Sequence, residues 1–305
     1  MPVSELDRLI AAARGWAGAP MALATVIGTW GSAPRPRGSH MLVHADGRFE
    51  GSVSGGCVEG DVLHAAAATI VDRRPRKLHF GVADATAWDV GLPCGGEISI
   101  LVQPIGPDGF GPGLFERIAA ARSAGETLTL WTDLESGTTS EAAADGLFAN
   151  AYAPPRRLLI VGAVQIAQAL AGIAAQLDAR TVLIDPRARF LTEERFPGLH
   201  KDDRWPDEAV GAARPDSATA VVTLSHDPKI DDPALIAALE APTGYIAALG
   251  SRRSHAKRVE RLAAAGIAED QIARIDAPAG LAIGAQGPAE IALSIAAGMV
   301  RTFRQ

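Results

Sequence analysis

Leu158-Leu159-Ile160-Val161-Gly162-Ala163-Val164-Gln165-Ile166-Ala167 decides the fold of the second half of this 305-residue chain. Four consecutive apolar residues suit a parallel strand buried on both faces. The glycine suits a tight turn, and the alanine-rich run behind it suits a helix reaching about Leu177. The same order then recurs. Residues 181–184 read as a strand ending at Asp185, residues 218–224 end at Ser225-His226-Asp227-Pro228-Lys229, and residues 245–249 end at Gly250-Ser251-Arg252-Arg253. Gly287-Pro288-Ala289-Glu290 opens a last helix with proline in its first turn. Right-handed crossovers make this alternation a doubly wound α/β sheet with all four polar strand ends on one rim.

The glycine template G-x-G-x-x-[GA] fits at Gly162 and Ala167, but Val164 replaces the glycine that lets backbone approach a pyrophosphate. Asp185 follows at about the spacing, ~20 residues, of a carboxylate that binds a ribose diol. A nucleotide is compatible with this loop, and so is a loop that only packs helix on strand. A standard NAD pose would meet the valine. On the rim, Asp185, His226, Lys229, Ser251 and Arg252 are candidates for a nucleotide or phosphate crevice; His226 and Lys229 equally suit the cap of the next helix.

Pro154-Pro155 marks the break between two domains, residues 1–153 and 154–305, because a prolyl pair stiffens a linker and the new pattern starts behind it. The first domain reads as α+β. Ser4 with Asp7 opens a helix carrying Leu6, Leu9, Ile10 and Ala13. Strands are expected over residues 21–28, 40–44, 49–53, 76–81, 97–104, 127–131 and 147–152, and helices over 58–72 and 114–123. Asp46-Gly47 is a hairpin signal. Residues 29–39 form a loop made basic by Arg35 and Arg37, expected beside the cysteines to hold an anionic ligand or dock a partner.

Both cysteines lie in this first domain and both touch a glycine pair: Gly55-Gly56-Cys57 and Cys94-Gly95-Gly96. Gly55 and Gly56 let a ligand come close to backbone, and the helix behind Cys57 offers free N–H groups. A helix start favours thiolate, while Glu59 and Asp61 oppose it. The same residues also suit a tight turn with an inert, buried cysteine. Cys57 and Cys94 are expected to face each other across one pocket, as possible metal ligands or a sulfur relay.

Composition narrows the function classes. The chain is 48% hydrophobic, enough for substantial cores, and its net charge of −6 without a basic, aromatic-rich run argues against nucleic-acid binding. There is no signal-type h-region and no apolar window of about 18 residues, so no membrane span is expected. Two cysteines without a CxxC point to free thiols in a reducing cytoplasm.

Taken together, Gly31-Ser32-Ala33-Pro34-Arg35, the Gly-Gly-Cys-Val-Glu run from Gly55 to Glu59, Cys94-Gly95-Gly96, the Gly162 loop through Leu170, Ile184-Asp185-Pro186-Arg187, His226-Asp227-Pro228-Lys229, Leu249-Gly250-Ser251-Arg252-Arg253 and Gly280 to Gly284 resemble the XdhC/CoxI accessory proteins of molybdenum hydroxylases. The valine variant of the glycine loop resembles the CoxI-type branch. The resemblance implies an N-terminal XdhC/CoxI domain followed by a Rossmann-like domain, commonly dimerised. It also implies that the chain binds the molybdenum cofactor (molybdopterin, or its cytosine dinucleotide) and assists its sulfuration and insertion into an apo xanthine- or CO-dehydrogenase-type hydroxylase, with a cysteine desulfurase as a further partner. The residues suit that cargo. Thiolates Cys57 and Cys94 match a sulfur-rich metal, and the Gly55, Gly56, Gly95, Gly96 and Gly162 loops with Arg35, Arg252 and Arg253 match phosphate. Gln165 stands where the family usually has histidine, and Ala282 where it usually has aspartate. Alternative readings are a sulfurtransferase working through a cysteine persulfide and an NAD(P)-dependent oxidoreductase.

Overall fold

The computed structural model describes residues 4–33, 35–81 and 96–304. The chain divides into two compact units, Val3–Pro154 and Pro155–Gln305, an α+β unit followed by a Rossmann-like one.

The N-terminal unit runs α1 (Glu5–Gly15), β1 (Met21–Trp30), β2 (His40–His44), β3 (Phe49–Gly51), α2 (Glu59–Asp72), β4 (Arg76–Phe80), β5 (Glu97–Pro104), α3 (Gly113–Ala124), β6 (Leu128–Thr132), β7 (Thr139–Ser140) and β8 (Phe148–Tyr152). Ser4 caps α1 as its sequence implies, its hydroxyl accepting from Asp7 N at 3.0 Å. Five strands form an antiparallel sheet in the order β3-β2-β1-β5-β4, and β7-β6-β8 form a second, small one. The central strand β1 is buried on both faces, which is why its sequence shows no alternation. Ala22, Ala24 and Val26 pack with Val58, Val62 and Ala66 on the α2 side. Met21 and Leu23 pack with Leu9, Ile10, Phe115 and Leu130 on the other. The strand also runs on to Trp30, into the stretch expected to be loop.

Among the polar groups buried in this unit is an imidazole. His40 is buried, with Nδ1 2.9 Å from the Thr25 hydroxyl and Nε2 2.9 Å from the Tyr152 hydroxyl. Burial lowers its pKa to about 4. The unfolded chain takes up this proton near pH 6.5 and the folded one does not, so the contribution is complete above about pH 6.5 and is lost as pH falls toward 4. Urea midpoints of the protein should therefore drop between pH 7 and pH 5, and His40→Gln should flatten that dependence. A midpoint independent of pH in this window would contradict the buried neutral imidazole.

The C-terminal unit runs β9 (Arg157–Val161), α4 (Gln165–Gln176), β10 (Arg180–Ile184), β11 (His200–Asp202), α5 (Pro206–Ala213), β12 (Thr219–Thr223), α6 (Pro228–Glu240), β13 (Tyr245–Ala248), α7 (Arg252–Ala264), α8 (Glu269–Ile272), β14 (Ile275–Asp276) and α9 (Pro288–Thr302). All strand pairs are parallel, in the order β11-β10-β9-β12-β13-β14. Leu158 and Ile160 of β9 face α4 and α9, while Leu159 and Val161 face the layer of α5, α6 and α7. The order reverses between β9 and β12, the switch point where such sheets open a crevice. Three-residue β11 and two-residue β14 complete the edges; both are too short to carry a sequence signal.

Candidate functional site

The loop before α2 is built around one carboxylate. Gly55 and Gly56 hold φ of +79° and +119°, and a side chain at either would meet nothing within 4 Å, so the backbone conformation is what requires glycine there. The turn they make curls the chain around Glu59. Its Oε1 accepts from the Ser52 hydroxyl at 2.6 Å and from the N–H groups of Ser54 and Gly55 at 2.9 and 3.1 Å. Its Oε2 accepts from Gly56 N at 2.8 Å and from the Ser54 hydroxyl. Ser54 Oγ in turn accepts from Val58 N at 3.0 Å. Burial raises the Glu59 pKa, but the hydroxyls of Ser52 and Ser54 and the N–H groups of Ser54 and Gly56 outweigh it and hold the carboxyl at about 2.

This corrects the sequence reading of Gly55 and Gly56 as a cradle for an outside anion. The donors converge as expected, and an internal carboxylate in the first turn of α2 already occupies them. The result is a fixed platform, and Cys57 stands on it as an exposed, free thiol. The buried, inert cysteine is therefore not what the fold makes.

The partner residues expected around this thiol fall elsewhere or outside view. Cys94 and Gly95, like Pro34, lie outside the described residues. Gly96 packs against backbone, where a Cβ would sit 2.8 Å from Ser32 C and 2.9 Å from Trp30 O. Arg35 is paired with Glu5 of α1. The Arg37 guanidinium lies 4.5 Å from the centre of the Phe148 ring. Both arginines thus have partners within the N-terminal unit. Among the described residues there is no group of three or more His, Cys, Asp or Glu that could hold a metal ion.

At the rim of the Rossmann-like sheet, Gly162 adopts φ +106°, and a Cβ there would come within 2.8 Å of Ser225 N. The glycine lets the ends of β9 and β12 close on each other. Val164 takes the N-cap of α4 in extended conformation. Asp185 is fully buried. Its Oδ2 accepts from Ala163 N at 2.7 Å and Arg187 Nη2 at 2.8 Å, and its Oδ1 accepts from Arg187 N and Nε at 2.9 and 2.8 Å. Burial pushes this carboxyl up, but the Arg187 and Ala163 hydrogen bonds win and hold it below its usual range. The residue placed by spacing for a ribose diol is instead a clamp that ties the glycine loop to the next strand.

Beyond the switch point the rim residues divide by role. His226 is exposed in a left-handed conformation with φ +63°. The helix cap is Asp227, which accepts from Lys229 N at 3.0 Å and leaves the Lys229 side chain exposed. Ser251 caps α7, accepting from Ser254 N at 3.2 Å, with Arg252 exposed beside it. Two residues absent from the sequence reading lie just behind this edge: Asp231 of α6 and Arg258 of α7, 1% and 5% exposed. A trace of Arg258 was legible. It stands four residues before Leu262, on the face that α7 buries.

In chain order, an α+β unit that displays a cysteine on a glycine platform is followed by a parallel Rossmann-like sheet. The XdhC Rossmann domain model matches residues 158–299, and the model of the XdhC and CoxI family matches residues 16–81. Over 284 residues, 90% of this chain and 81% of the relative, the chain is 30% identical to the molybdenum cofactor insertion chaperone PaoD of Escherichia coli (strain K12). It is 26% identical, over 93% of both chains, to a Bacillus subtilis (strain 168) protein named as one of the probable subunits of xanthine dehydrogenase. A crystal structure of a xanthine dehydrogenase from Bacillus halodurans superposes with a TM-score of 0.80 at 26% identity, covering 99% of this chain and 96% of that one. The chain belongs to the XdhC/CoxI family.

Proposed function

We propose that this protein carries the molybdenum cofactor as cargo and assists its maturation and insertion into an apo molybdenum hydroxylase. The observation that carries the reading is the extent of the likeness: nine-tenths of the chain, across both units, matches a relative named as a molybdenum cofactor insertion chaperone. The geometry supports it at two places. Cys57 offers an exposed thiol, the donor chemistry a sulfur-rich molybdenum centre accepts. At the Rossmann rim, buried polar atoms of Asp231 and Arg258 without hydrogen-bond partners border a cavity. The Gly55–Gly56 and Gly162 loops do not support phosphate binding in this conformation, because Glu59 and Asp185 take donors of each.

In this reading Cys57, with Cys94 as its second thiol, receives sulfur from a cysteine desulfurase or contacts the metal. His226, Lys229, Ser251 and Arg252 form the solvent side of the cargo site, the client is of the xanthine- or CO-dehydrogenase type, and the working form is a homodimer. Co-expression with a molybdenum hydroxylase tests the cysteine. Cys57→Ala should leave thermal stability unchanged, since the side chain is exposed. It should lower client activity on the order of tenfold, the scale on which single changes around a metal move affinity. Full client activity with Cys57→Ala would remove the thiol from the mechanism.

A further inference from the structure

Behind the rim, a cavity of about 190 Å³ opens between α6 and α7, bordered by His226, Pro228, Asp231, Leu249, Lys257 and Arg258. Two of these side chains are more than nine-tenths buried and incompletely bonded. Arg258 gives one Nη2 hydrogen to Leu249 O at 3.0 Å, while its Nε and Nη1 have no partner. Asp231 accepts from the Ser225 hydroxyl at 2.6 Å and from Ser225 N at 3.3 Å, both on Oδ1, while Oδ2 has none. Buried polar atoms in native proteins are almost always bonded, so unpaired ones beside a cavity call for an occupant. One ordered water needs only about 15 Å³ of such space, and this cavity is more than ten times larger.

We propose that this cavity binds a planar ring through an amide-type edge, an N–H or amino donor next to a carbonyl or ring-nitrogen acceptor. Asp231 Oδ2 accepts from the donor, and the Arg258 guanidinium donates to the acceptor. A bare oxyanion would satisfy Arg258 and confront Asp231. A cation would confront Arg258 and Lys257. An edge carrying both functions satisfies each and brings no charge into a buried site. Leu249 and Pro228 supply apolar contact for ring faces. Arg261 does not compete, because Asp232 holds it at 2.5 and 3.0 Å. Burial pushes the Asp231 carboxyl up and the Arg258 guanidinium down, as expected where neither has its full set of partners.

The pterin and cytosine rings both carry such an edge. Assigning the ring to the molybdenum cofactor rests on the function proposed above; the site itself does not. Titration of the purified full chain with pterin, followed by its intrinsic fluorescence, and with cytidine 5′-monophosphate, followed by calorimetry, tests the site and separates the two sources. Inorganic phosphate and ribose 5-phosphate serve as oxyanion controls. We expect saturable one-to-one binding of one ring and no binding of either control. Asp231→Asn should weaken it at least tenfold, because an amide N–H then faces the ligand's donor, whereas Glu240→Gln at the far end of α6 should change nothing. If Asp231→Asn does not fold, Arg258→Lys, which keeps the charge but loses the fork of donors, should show the same loss. Binding of phosphate alone, no binding of either ring, or ring binding indifferent to both substitutions would overturn the site. A chain that binds neither ring yet matures its client overturns only this inference; one that binds a ring and matures no client overturns the chaperone reading and leaves the site standing.

Discussion

Asp185→Ala should destabilise the C-terminal unit by about 3 kcal/mol, toward the low end of what removing one partner of a buried ion pair costs. The substitution leaves Ala163 N–H and three donors of Arg187 without their acceptor. Arg187 is 34% exposed and recovers water, which keeps the loss at the low end. In a unit of this size the loss corresponds to a fall in Tm of roughly 6–12 °C, measurable by calorimetry. Asp185→Asn keeps one carbonyl oxygen for Ala163 N–H and should lose less. A Tm within a degree or two of the parent would mean that the clamp contributes little and that the carboxylate is free to meet a ribose after all.

Glu59→Ala should have the second largest effect, about 2–3 kcal/mol on the N-terminal unit. Hydrogen bonds to a charged acceptor contribute about 1.5–3 kcal/mol each, and here part of the loss is returned by water reaching the exposed side of the loop. Without the carboxylate, Ser52, Ser54, Gly55 and Gly56 lose the acceptor that fixes their turn. Cys57 then rides on a mobile loop, so client maturation should fall along with stability. Acid should reproduce the structural part. The folded Glu59 carboxyl lies at about 2 and the unfolded one near 4.5, so its contribution is complete above pH 4.5 and is lost as pH falls toward 2. Glu59→Ala should lose less stability than the parent across that interval. Equal losses in both proteins would show that the carboxylate is not what holds the turn.

Most of the architecture was legible in the sequence because its signals are local. Leu158 to Val161 reads as a doubly buried parallel strand and is one, with alternate residues in the two cores of the sheet. Ser4, Asp46-Gly47 and Pro288 mark a cap, a hairpin and a helix start where the structure has them. The short edge strands β11 and β14 were not visible, since two or three residues establish no period.

The site was less legible, for a physical reason. A glycine-rich loop announces converging N–H groups, but not which acceptor meets them. At Gly55–Gly56 that acceptor is Glu59, and behind Gly162 it is Asp185, which takes the Ala163 N–H from the end of β10. The Asp231–Arg258 pair shows the same limit in reverse. Asp231 reads as an ordinary solvated charge on its own helix, and Arg258 carries only the faint signal of its i, i+4 spacing to Leu262. The depth of their burial follows from the packing of α6 and α7 at the sheet edge, which local spacing does not encode.

The central claim is that this protein carries the molybdenum cofactor, and native mass spectrometry tests it most directly. The protein should be purified from cells that synthesise the cofactor but lack a client hydroxylase, so that cargo is retained. The account predicts a mass adduct that contains molybdenum, is released on denaturation and yields a fluorescent pterin on oxidation. The adduct should persist in Glu240→Gln and diminish in Cys57→Ala and Asp231→Asn. Protein of unmodified mass, with the free cofactor recovered from the same lysate, would contradict it.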